Sequence, residues 1–433
     1  MNGGRTLFSG TDRDQWTQLK LNDLCVYITS GGTPSRRVPT YYIDGVYSWV
    51  KTQELCDTWI NNTEEHITPE AIAQSSAKIL PKNTVLVAMY GATVGKLGLL
   101  RQPMTCNQAC CALIVDDQKA DYRFIFYQLL QDRDRLRNLA TGAAQQNLSG
   151  EVIRSLKFWI PPLPEQRRIA HILGTLDDKI ENNRKTAKTL EAMAQAIFHS
   201  WFVDFDPVRA KMAGESPESI CKRLKLTPEI LDLFPDRLVD SELGEIPEGW
   251  RVGIISELAD ISSGKRPENR FEHQSDDAKI PLWGGNGPIG FVCGTLIDGP
   301  SILTGRVGTL GTFFRIDSPC WPSDNTLIIR PKNENGFEFL FLSLLQLDII
   351  SLNRGSTQPL LTQSDLNNQL VIKPKFDIIT AFHSAAKLLY NCSNNCTNKS
   401  DKFANIRDIF LPKLISGEIR VPDAEHLLEE ATR

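Results

Sequence analysis

A glycine-rich segment ending in lysine, Gly91-Ala-Thr-Val-Gly95-Lys96, is the part of this chain that comes nearest to a catalytic motif. It is similar to the phosphate-binding loop Gly-x-x-x-x-Gly-Lys-Ser/Thr, whose backbone N–H groups and lysine hold nucleotide phosphates. Two features argue against nucleotide binding. Three residues instead of four separate the glycines, and Leu97 stands where the magnesium-binding hydroxyl belongs. We therefore interpret the glycines as a tight turn, which either joins two strands or lets backbone approach a ligand phosphate.

Residues for other catalytic chemistries are missing as well. A DNA methyltransferase needs an Asn/Asp-Pro-Pro-aromatic motif, but Ile160-Pro-Pro-Leu163 has no amide or carboxylate before its prolines. The six histidines are scattered and match neither a nucleophile triad nor a zinc motif. Carboxylate pairs such as Asp177-Asp178 are interpreted as solvated faces. We predict that this chain has no catalytic residue, no metal and no cofactor of its own.

An internal repeat organises the sequence. Five residues recur as the same type 213 positions later: Gly95 as Gly308, Gly98 as Gly311, Gly142 as Gly355, Gln145 as Gln358 and Leu148 as Leu361. With small gaps, 28–34 aligns with 261–267, 90–98 with 304–311, and 141–149 with 354–362. Between these anchors the halves are almost unrelated. We expect two copies of one unit that bind different targets in the same orientation. The alternative is an old duplication whose copies diverged in sequence without such a role.

Loops around these anchors carry side chains that could read DNA. Arg and Lys bond phosphates or guanine edges, and Asn and Gln bond adenine in a bidentate manner. The candidates in the first half are Ser30, Thr33, Arg36, Arg37, Lys51, Lys96, Asn107 and Gln108. The candidates in the second half are Ser263, Lys265, Arg266, Arg270, Arg306 and Asn325. Each is also compatible with an ordinary exposed loop residue, and the asparagines with turn caps.

Two long helices are predicted, one after each copy. Apolar or small residues recur at alternating spacings of four and three from Ile169 to Trp201, except at Asn183, which is typical of a heptad seam. A helix from about 165 to 201 would be roughly 55 Å long. The seam is assigned to Ile169, Leu176, Asn183, Leu190 and Ile197, and 213 positions later to Phe382, Leu389, Cys396, Phe403 and Phe410. Two matching stripes most simply cover each other as an antiparallel coiled coil, with Asn183 helping to fix the register.

The second helix carries polar features on its predicted seam. Cys392 and Cys396 share one face and are interpreted as small core fillers, since no further His or Cys pair completes four zinc ligands. Lys399 is expected to lay its stem along the apolar groove with its amine at the edge. The weak helix formers of 391–398 indicate a frayed or distorted centre.

Length, composition and charge limit the class of protein. A chain of 433 residues with 41% hydrophobic residues is long enough for two or three soluble domains. It lacks an apolar signal region and any run of roughly 20 apolar residues, so we expect no membrane contact and a cytoplasmic location. The ten cysteines are read as reduced thiols. Net charge is +2 over 1–160 and −5 over 241–377, so DNA phosphates must meet local basic clusters or a partner's charge.

Taken together, these features resemble the specificity subunit of a type I restriction–modification enzyme, and the resemblance covers nearly the whole chain. It rests on 16–34, on the end of the chain at 410–419, and on three quoted segments. These are Ile160-Pro-Pro-Leu-Pro-Glu-Gln-Arg-Arg-Ile169, Phe198-His-Ser-Trp-Phe-Val-Asp-Phe-Asp-Pro207 and Leu243-Gly-Glu-Ile-Pro-Glu-Gly-Trp250.

The implied fold class is α/β: two similar target recognition domains separated by two long conserved helices in an antiparallel coiled coil, with an internal pseudo-two-fold repeat. The expected divisions are a first domain at 1–163, a central spacer helix at 164–202, a connector at 203–248, a second domain at 249–376, a C-terminal spacer helix at 377–420 and a tail at 421–433.

The resemblance also implies a function in phage defence. Such a subunit has no activity of its own and reads the two halves of a split, asymmetric sequence in double-stranded DNA. Two modification subunits bind it and transfer methyl from S-adenosylmethionine, usually to adenine, while restriction subunits add ATP- and Mg-dependent translocation and cleavage. Spacer length should set the gap between the halves, so matched heptad insertions near Ala187 and Ser400 should lengthen it.

Two other classes of protein stay open at this point. A stand-alone sequence-specific DNA-binding protein would need enough positive charge to hold DNA unaided, and the charge of −5 on the second half argues against it. An active nuclease or methyltransferase would show turnover of the purified chain without partners.

Overall fold

The structure is a computed structural model, and it describes residues 15–140, 147–308, 310–353 and 359–432. The chain divides into two compact units. Unit 1 is Met1–Arg184 with Asn398–Arg433, and unit 2 is Lys185–Thr397. Each unit therefore contains one α/β domain and one part of each long helix.

Short, mostly apolar strands form the sheets of unit 1. They are β1 (Thr17–Lys20), β2 (Cys25–Ser30), β3 (Tyr47–Val50), β4 (Thr58–Ile60), β5 (His66–Ile67), β6 (Val85–Ala88), β7 (Leu97–Leu100), β8 (Thr105–Cys106), β9 (Cys110–Val115) and β10 (Lys157–Ile160). One sheet has the order β2-β9-β6-β7-β4, a second has β5-β3-β8, and β1 pairs with β10. β6 and β7 are buried along their whole length because their residues are apolar on both faces.

Four shorter helices complete this domain: α1 (Pro69–Ala73), α2 (Tyr122–Gln131), α3 (Arg133–Leu139) and α4 (Gly150–Ser155). α2 begins after Asp121, whose carboxylate accepts from the backbone N–H groups of Arg123 and Phe124 at 2.9 and 3.1 Å. Its apolar residues, Phe124 among them, lie in the core that contains β6, β7 and β9.

The first long helix, α5 (Leu163–Phe202), has 40 residues, about 60 Å at 1.5 Å per residue. Gln166 ties its first turn to the domain. This side chain is 1% exposed, donates to the carbonyl of Pro161 at 2.9 Å and accepts from the backbone N–H of Asp121 at 3.0 Å. The starts of α2 and α5 are thereby joined.

Residues predicted as a connector form helices and a hairpin within unit 2: α6 (Asp206–Met212), α7 (Pro217–Leu224), α8 (Pro228–Asp232), β11 (Leu238–Ser241) and β12 (Gly244–Pro247). The second domain follows with β13 (Arg251–Ile254), β14 (Ala259–Ser263), β15 (Ile280–Gly284), β16 (Gly287–Val292), β17 (Ser301–Gly305), β18 (Phe313–Ile316), β19 (Trp321–Pro322), β20 (Thr326–Pro331), α9 (Phe337–Leu345), α10 (Gln363–Asn367) and β21 (Leu370–Lys373). Its sheets have the orders β14-β20-β17-β18 and β16-β15-β19, with β13 paired to β21 and β11 to β12.

The chain closes with the second long helix, α11 (Phe376–Ser416), and with α12 (Val421–Thr432). The residues predicted as a tail are therefore helical, and the long helix ends at Ser416. α11 is also continuous through 391–398, where a distorted centre was expected. Within the described ranges, no helix is long and apolar enough to cross a membrane.

Strand pairing shows the repeat in three dimensions, because β14–β20 has the same register as β2–β9. The matching pairs are Ser30 with Cys111 and Ile28 with Leu113 in the first domain, and Ser263 with Leu327 and Ile261 with Ile329 in the second. The predicted alignment of 28–34 with 261–267 is confirmed. Leu148 and Leu361 also correspond, because their N–H groups donate to the carbonyls of Met89 and Arg306 at 2.8 and 2.9 Å.

The predicted alignment of the glycine segments is wrong. Since Met89 and Arg306 hold matching places, Gly308 corresponds to Gly91 and not to Gly95. Both of these glycines have positive φ, 88° and 67°.

Gly98 lies inside β7, opposite Leu86, at the place that Phe314 takes in β18 opposite Leu303. Its identity with Gly311 is therefore accidental. The Gly142–Gly355 and Gln145–Gln358 pairs fall outside the described residues.

Burial varies along the predicted seam of the long helices. Four of its residues are buried, namely Ile169, Leu176, Phe382 and Phe410. The other six are half-buried, namely Asn183, Leu190, Ile197, Leu389, Cys396 and Phe403.

In the centre of α11 the buried positions differ by one residue from the prediction. Ser393 and Ser400 are each 1% exposed, whereas Cys392 and Lys399 are exposed. The serine hydroxyls donate to Glu191 at 2.8 Å and, at 3.4 Å, to the carbonyl of Ile180. Polar contacts to α5 thus satisfy hydroxyls in a stretch of weak helix formers.

Candidate nucleic-acid interface

Three strand ends meet at one edge of the main sheet in each domain. In the first domain β2 and β6 end there and β9 begins there, so 30–36, 89–96 and 106–109 are neighbours, and we call them the first loop edge. In the second domain the ends of β14 and β17 and the start of β20 gather 263–267, 305–308 and 322–325, the second loop edge. Most of the predicted DNA-binding residues lie on these two edges.

A glycine lets two loops touch at each edge. A Cβ on Gly31 would lie 2.1 Å from the carbonyl oxygen of Cys106, and one on Gly264 would lie 2.2 Å from that of Ser323. The next residue in each loop donates its N–H to the neighbouring loop, Gly32 to Cys106 at 2.9 Å and Lys265 to Pro322 at 3.0 Å. No other residue type fits this approach without a shift of backbone.

A tryptophan indole donates a hydrogen bond to the equivalent carbonyl in both domains, but the tryptophan lies on a different strand in each. Trp49 of β3 donates its Nε1–H to the carbonyl of Gly32 at 3.0 Å. Trp321 of β19 donates to the carbonyl of Lys265 at 2.7 Å. Because β19 corresponds to β8 and not to β3, this contact could not be aligned from sequence.

Acidic residues neutralise two of the predicted cations of the first domain. The guanidinium of Arg36 pairs with Glu65 at 2.6 Å and lies 4.1 Å from the ring centroid of Tyr42. Lys51 pairs with Glu64 and Glu65 at 2.8 and 2.9 Å. The hydrogen bond from Arg36, followed by that from Lys51, lowers the pKa of Glu65. Arg36 and Lys51 are thus engaged within the protein.

Polar groups suited to base edges lie between the loops of the first edge. The hydroxyl of Thr33 donates to Oε1 of Gln108, and both side chains are exposed. Asn107 donates its backbone N–H to the carbonyl of Val50 at 2.9 Å, while its Oδ1 is buried without a partner among the described residues. Ser30 is exposed at the end of β2.

Cations of the second loop edge are less engaged. Lys265 and Arg266 of this edge are exposed, as is Arg270 outside it, and none of the three forms an ion pair within the described part of the chain. Ser263 is half-buried and accepts from Nε2 of Gln363 at 2.9 Å. In the first domain, Arg37 is exposed and Lys96 half-buried, likewise without an ion pair to a described residue.

Two stretches of the chain, 13–192 and 247–378, match the family model described as the type I restriction modification DNA specificity domain. Together they cover well over half of its residues. The chain belongs to this specificity family. The resemblance inferred from its sequence motifs is thereby confirmed, and each matched stretch contains one loop edge.

Relatives of this specificity chain extend over most of its length. The type I restriction enzyme MjaIX specificity subunit of Methanocaldococcus jannaschii is 25% identical over 438 residues, 94% of each chain. The type I restriction enzyme HindI specificity subunit of Haemophilus influenzae is 31% identical over 326 residues, 62% of this chain and 70% of that one. A crystal structure of a type I restriction–modification S subunit from M. genitalium aligns with a TM-score of 0.62 and 20% identity, covering 95% of this chain and 98% of that chain. This last likeness supports the fold.

Three predicted residues lie outside the two loop edges, namely Arg37, Lys51 and Arg270. Lys51 follows β3 in the second sheet, and Arg270 precedes Phe271, which bridges to Phe291 of β16. Lys96 closes the turn between β6 and β7, where Gly91 and Gly95 both have positive φ. The glycine segment therefore joins two strands, one of the two roles that its sequence indicated.

Sequence reasoning missed three features of the specificity chain's interface. Glu65 is one, Trp49 and Trp321 are a second, and the third is Asn286, which is exposed in the turn between β15 and β16. The run Gly284-Gly285-Asn286-Gly287 was a usable signal, because a tight glycine turn with one polar residue is typical of a loop that approaches a ligand.

Proposed function

We propose that this specificity chain recognises a split, asymmetric sequence in double-stranded DNA, with each loop edge reading one half. One observation carries the proposal: both domains present the same three loops on the same strand ends, but with different side chains. Thr33 corresponds to Arg266, and Gln108 corresponds to Asp324, since their loops have equivalent backbone hydrogen bonds. A DNA target with two different halves requires one scaffold with two different sets of hydrogen-bond donors and acceptors.

Phosphate contacts are assigned to the cations that the protein leaves free. Arg37 and Lys96 serve the first half of the target, and Lys265, Arg266 and Arg270 serve the second. Arg36 and Lys51 act indirectly, by fixing the loop that carries Thr33. The side chains that face bases or sugar are those of Ser30, Thr33, Asn107, Gln108, Ser263, Arg306 and Asn325. Because the second half carries a net charge of −5, further neutralisation of phosphate comes from partner subunits.

The long helices α5 and α11 are proposed to form an antiparallel coiled coil that sets the gap. Two contacts support an antiparallel arrangement, because the partner on α11 moves toward its N-terminus as the residue on α5 moves toward its C-terminus. Asp177 contacts Arg407 at 2.8 Å within unit 1, and Glu191 contacts Ser393 at 2.8 Å within unit 2. One heptad inserted near Ala187 and one opposite it in α11 add about 10 Å, or about three base pairs of B-DNA. A recognised gap that stays unchanged would contradict this role.

Catalysis is assigned to partner subunits. Two modification subunits bind the chain and supply S-adenosylmethionine-dependent methylation, and restriction subunits supply ATP- and Mg-dependent cleavage, in the cytoplasm. The names of the relatives support a place in such a system. The chain itself contributes sequence recognition and assembly.

The testing experiment is single-molecule methylation mapping of DNA from cells that express the chain with its modification subunit, compared with cells that lack the chain. We expect a split methylated motif that appears only when the chain is present. If an active modification subunit yields no such motif, the proposed function is wrong and stand-alone DNA binding becomes the better account.

A further inference from the structure

The turn between β15 and β16 reaches the second loop edge, although it belongs to the other sheet of that domain. A Cβ on Gly285 would lie 3.0 Å from the Cα of Gly305 and 3.6 Å from the carbonyl oxygen of Asn325. Two glycine backbones thus pack directly on each other at the end of β17. This approach places Asn286, the exposed residue at the tip of the turn, beside the loops that follow β17 and precede β20.

Two further polar residues lie at this junction. The backbone N–H of Arg306 donates to the carbonyl of Asn325 at 3.0 Å, so these residues are adjacent. Asn325 is exposed. Nε of Arg306 is buried without a hydrogen-bond partner among the described residues. A buried N–H without an acceptor is costly, and a ligand that offers acceptors to the guanidinium would recover that cost.

The first domain has apolar side chains at the places that match Arg306 and Asn325. Arg306 corresponds to Met89, which is 4% exposed, and Asn325 corresponds to Ala109, because Met89 donates its N–H to the carbonyl of Ala109 at 2.9 Å. Its polar pair, Thr33 with Gln108, lies instead on the loops next to β2 and β9. The two domains therefore present their donors and acceptors on different loops of one scaffold.

Building on the proposed function, we infer that Asn286, Arg306 and Asn325 form the base-reading group of the second domain. An arginine bonds guanine O6 and N7 with two parallel N–H groups, and an asparagine amide bonds adenine N6 and N7. The group therefore selects purines in the major groove. Lys265 and Arg266, on the neighbouring loop, hold phosphates and position the domain.

The test is methylation mapping of cells that express the full chain and its modification subunit, with Asn286→Ala, Arg306→Lys or Asn325→Ala introduced singly. Arg306→Lys keeps the positive charge but removes the bidentate hydrogen-bond donor. Each variant is expected to lower discrimination at one base pair, in one half of the motif, by about 5- to 150-fold. Gln108→Ala, in the first domain, should relax the other half. Arg330→Lys, an exposed arginine of β20 outside the edge, should change neither half.

The possible outcomes separate the inference from the function on which it rests. If the wild-type chain gives no split motif, the proposed function fails. If the wild-type motif appears and Asn286→Ala and Arg306→Lys both retain its two halves unchanged, the inference is wrong. A uniform loss of methylation at all sequences, with an unchanged melting temperature of the protein, also overturns it, because a phosphate contact behaves in that way.

Discussion

Asp177 of α5 accepts from Arg407 of α11 at 2.8 Å, and the same carboxylate accepts from the hydroxyl of Tyr127 in α2 at 2.5 Å. Burial, and after it the charge of Asp177, raises the pKa of Tyr127 well above its usual value, so the phenol stays a donor. The residue 213 positions after Asp177 is Tyr390, which lies 4.5 Å from the guanidinium of Arg315. Each domain is thus fixed to the long helices by its own chemistry.

In unit 2 the acid lies on the domain and not on a long helix. Glu338 of α9 contacts His383 of α11 and pairs with Arg315 of β18 at 3.2 Å. Glu338 is 1% exposed. The carboxylate at the contact between domain and long helix thus has a different set of partners in each unit.

Loss of the Asp177 ion pair should destabilise unit 1. Arg407→Met keeps the apolar stem but removes the donor to a carboxylate whose side chain is only 18% exposed. We expect the free energy of unfolding to fall by about 1.5–3 kcal/mol. Urea titration followed by tryptophan fluorescence measures the change. Arg168→Met is the matched control, since its pair with Glu425 is about half exposed and should contribute less than about 1 kcal/mol. Equal effects of the two substitutions would contradict this account.

Alanine at Gly31 or Gly264 should disturb the corresponding loop edge, because the added Cβ meets a backbone carbonyl at 2.1 or 2.2 Å. We expect destabilisation by about 1–3 kcal/mol and weakened recognition of only one half of the target. Thermal unfolding and methylation mapping measure the two effects.

Gly294→Ala is the control for these glycine substitutions. A Cβ there would lie 3.6 Å from the ring of Trp321, an ordinary van der Waals distance. It should leave stability and recognition unchanged. Wild-type behaviour of Gly31→Ala and Gly264→Ala would show that the close approach of the loops is not required.

The cluster around Glu65 predicts a pH dependence of stability. Arg36 and then Lys51 lower the pKa of Glu65 from its ordinary value of 4.5, so its contribution is complete above that value and is lost as pH falls through the lowered pKa. Glu65→Gln should therefore be less stable than wild type at neutral pH, with a difference that shrinks below about pH 4.5. Melting temperatures of both proteins across the acid range give the answer. A constant difference down to about pH 3 would exclude this ionic contribution.

Cysteine labelling tests the register of α11. Cys56, Cys293 and Cys392 are exposed, whereas Cys106 and Cys111 are buried, and burial raises the pKa of Cys111 to about 12. A brief maleimide pulse on the native protein should modify the exposed group, and the buried thiols should react only after denaturation. Peptide mass spectrometry locates the modified residues. Protection of Cys392 equal to that of Cys111 would mean that Ser393 and Ser400 do not line the buried face.

Much of the fold was predictable because it rests on periodicity and on short motifs. The four-and-three spacing from Ile169 to Trp201 predicted α5, and the Gly-containing segments at 28–34 and 261–267 predicted two matching loops. The buried centre of α11 was not predictable in this way. Ser393 and Ser400 are buried because their hydroxyls find partners on α5, and hydrophobicity alone favours Cys392 instead.

The sequence predicted which loops form the candidate interface. It did not predict which of their charged side chains form ion pairs within the protein and which do not. Arg36 and Lys51 are candidates by residue type, yet Glu64 and Glu65 neutralise them from a distant part of the sequence. Asn286 was missed because its place beside Asn325 depends on Gly285 packing against Gly305, a contact between two sheets. Such contacts are properties of tertiary packing. The glycine run at 284–287 indicates a tight turn, but no local pattern shows which loop that turn contacts.

The measurement that tests the central claim most directly is selection of DNA from a random duplex pool by the full chain assembled with its modification subunit. We predict two different clusters of fixed bases, separated by a gap of constant length and unspecified sequence. Enrichment of a single continuous motif, or of two identical halves, would contradict the claim that the two loop edges recognise different base sequences.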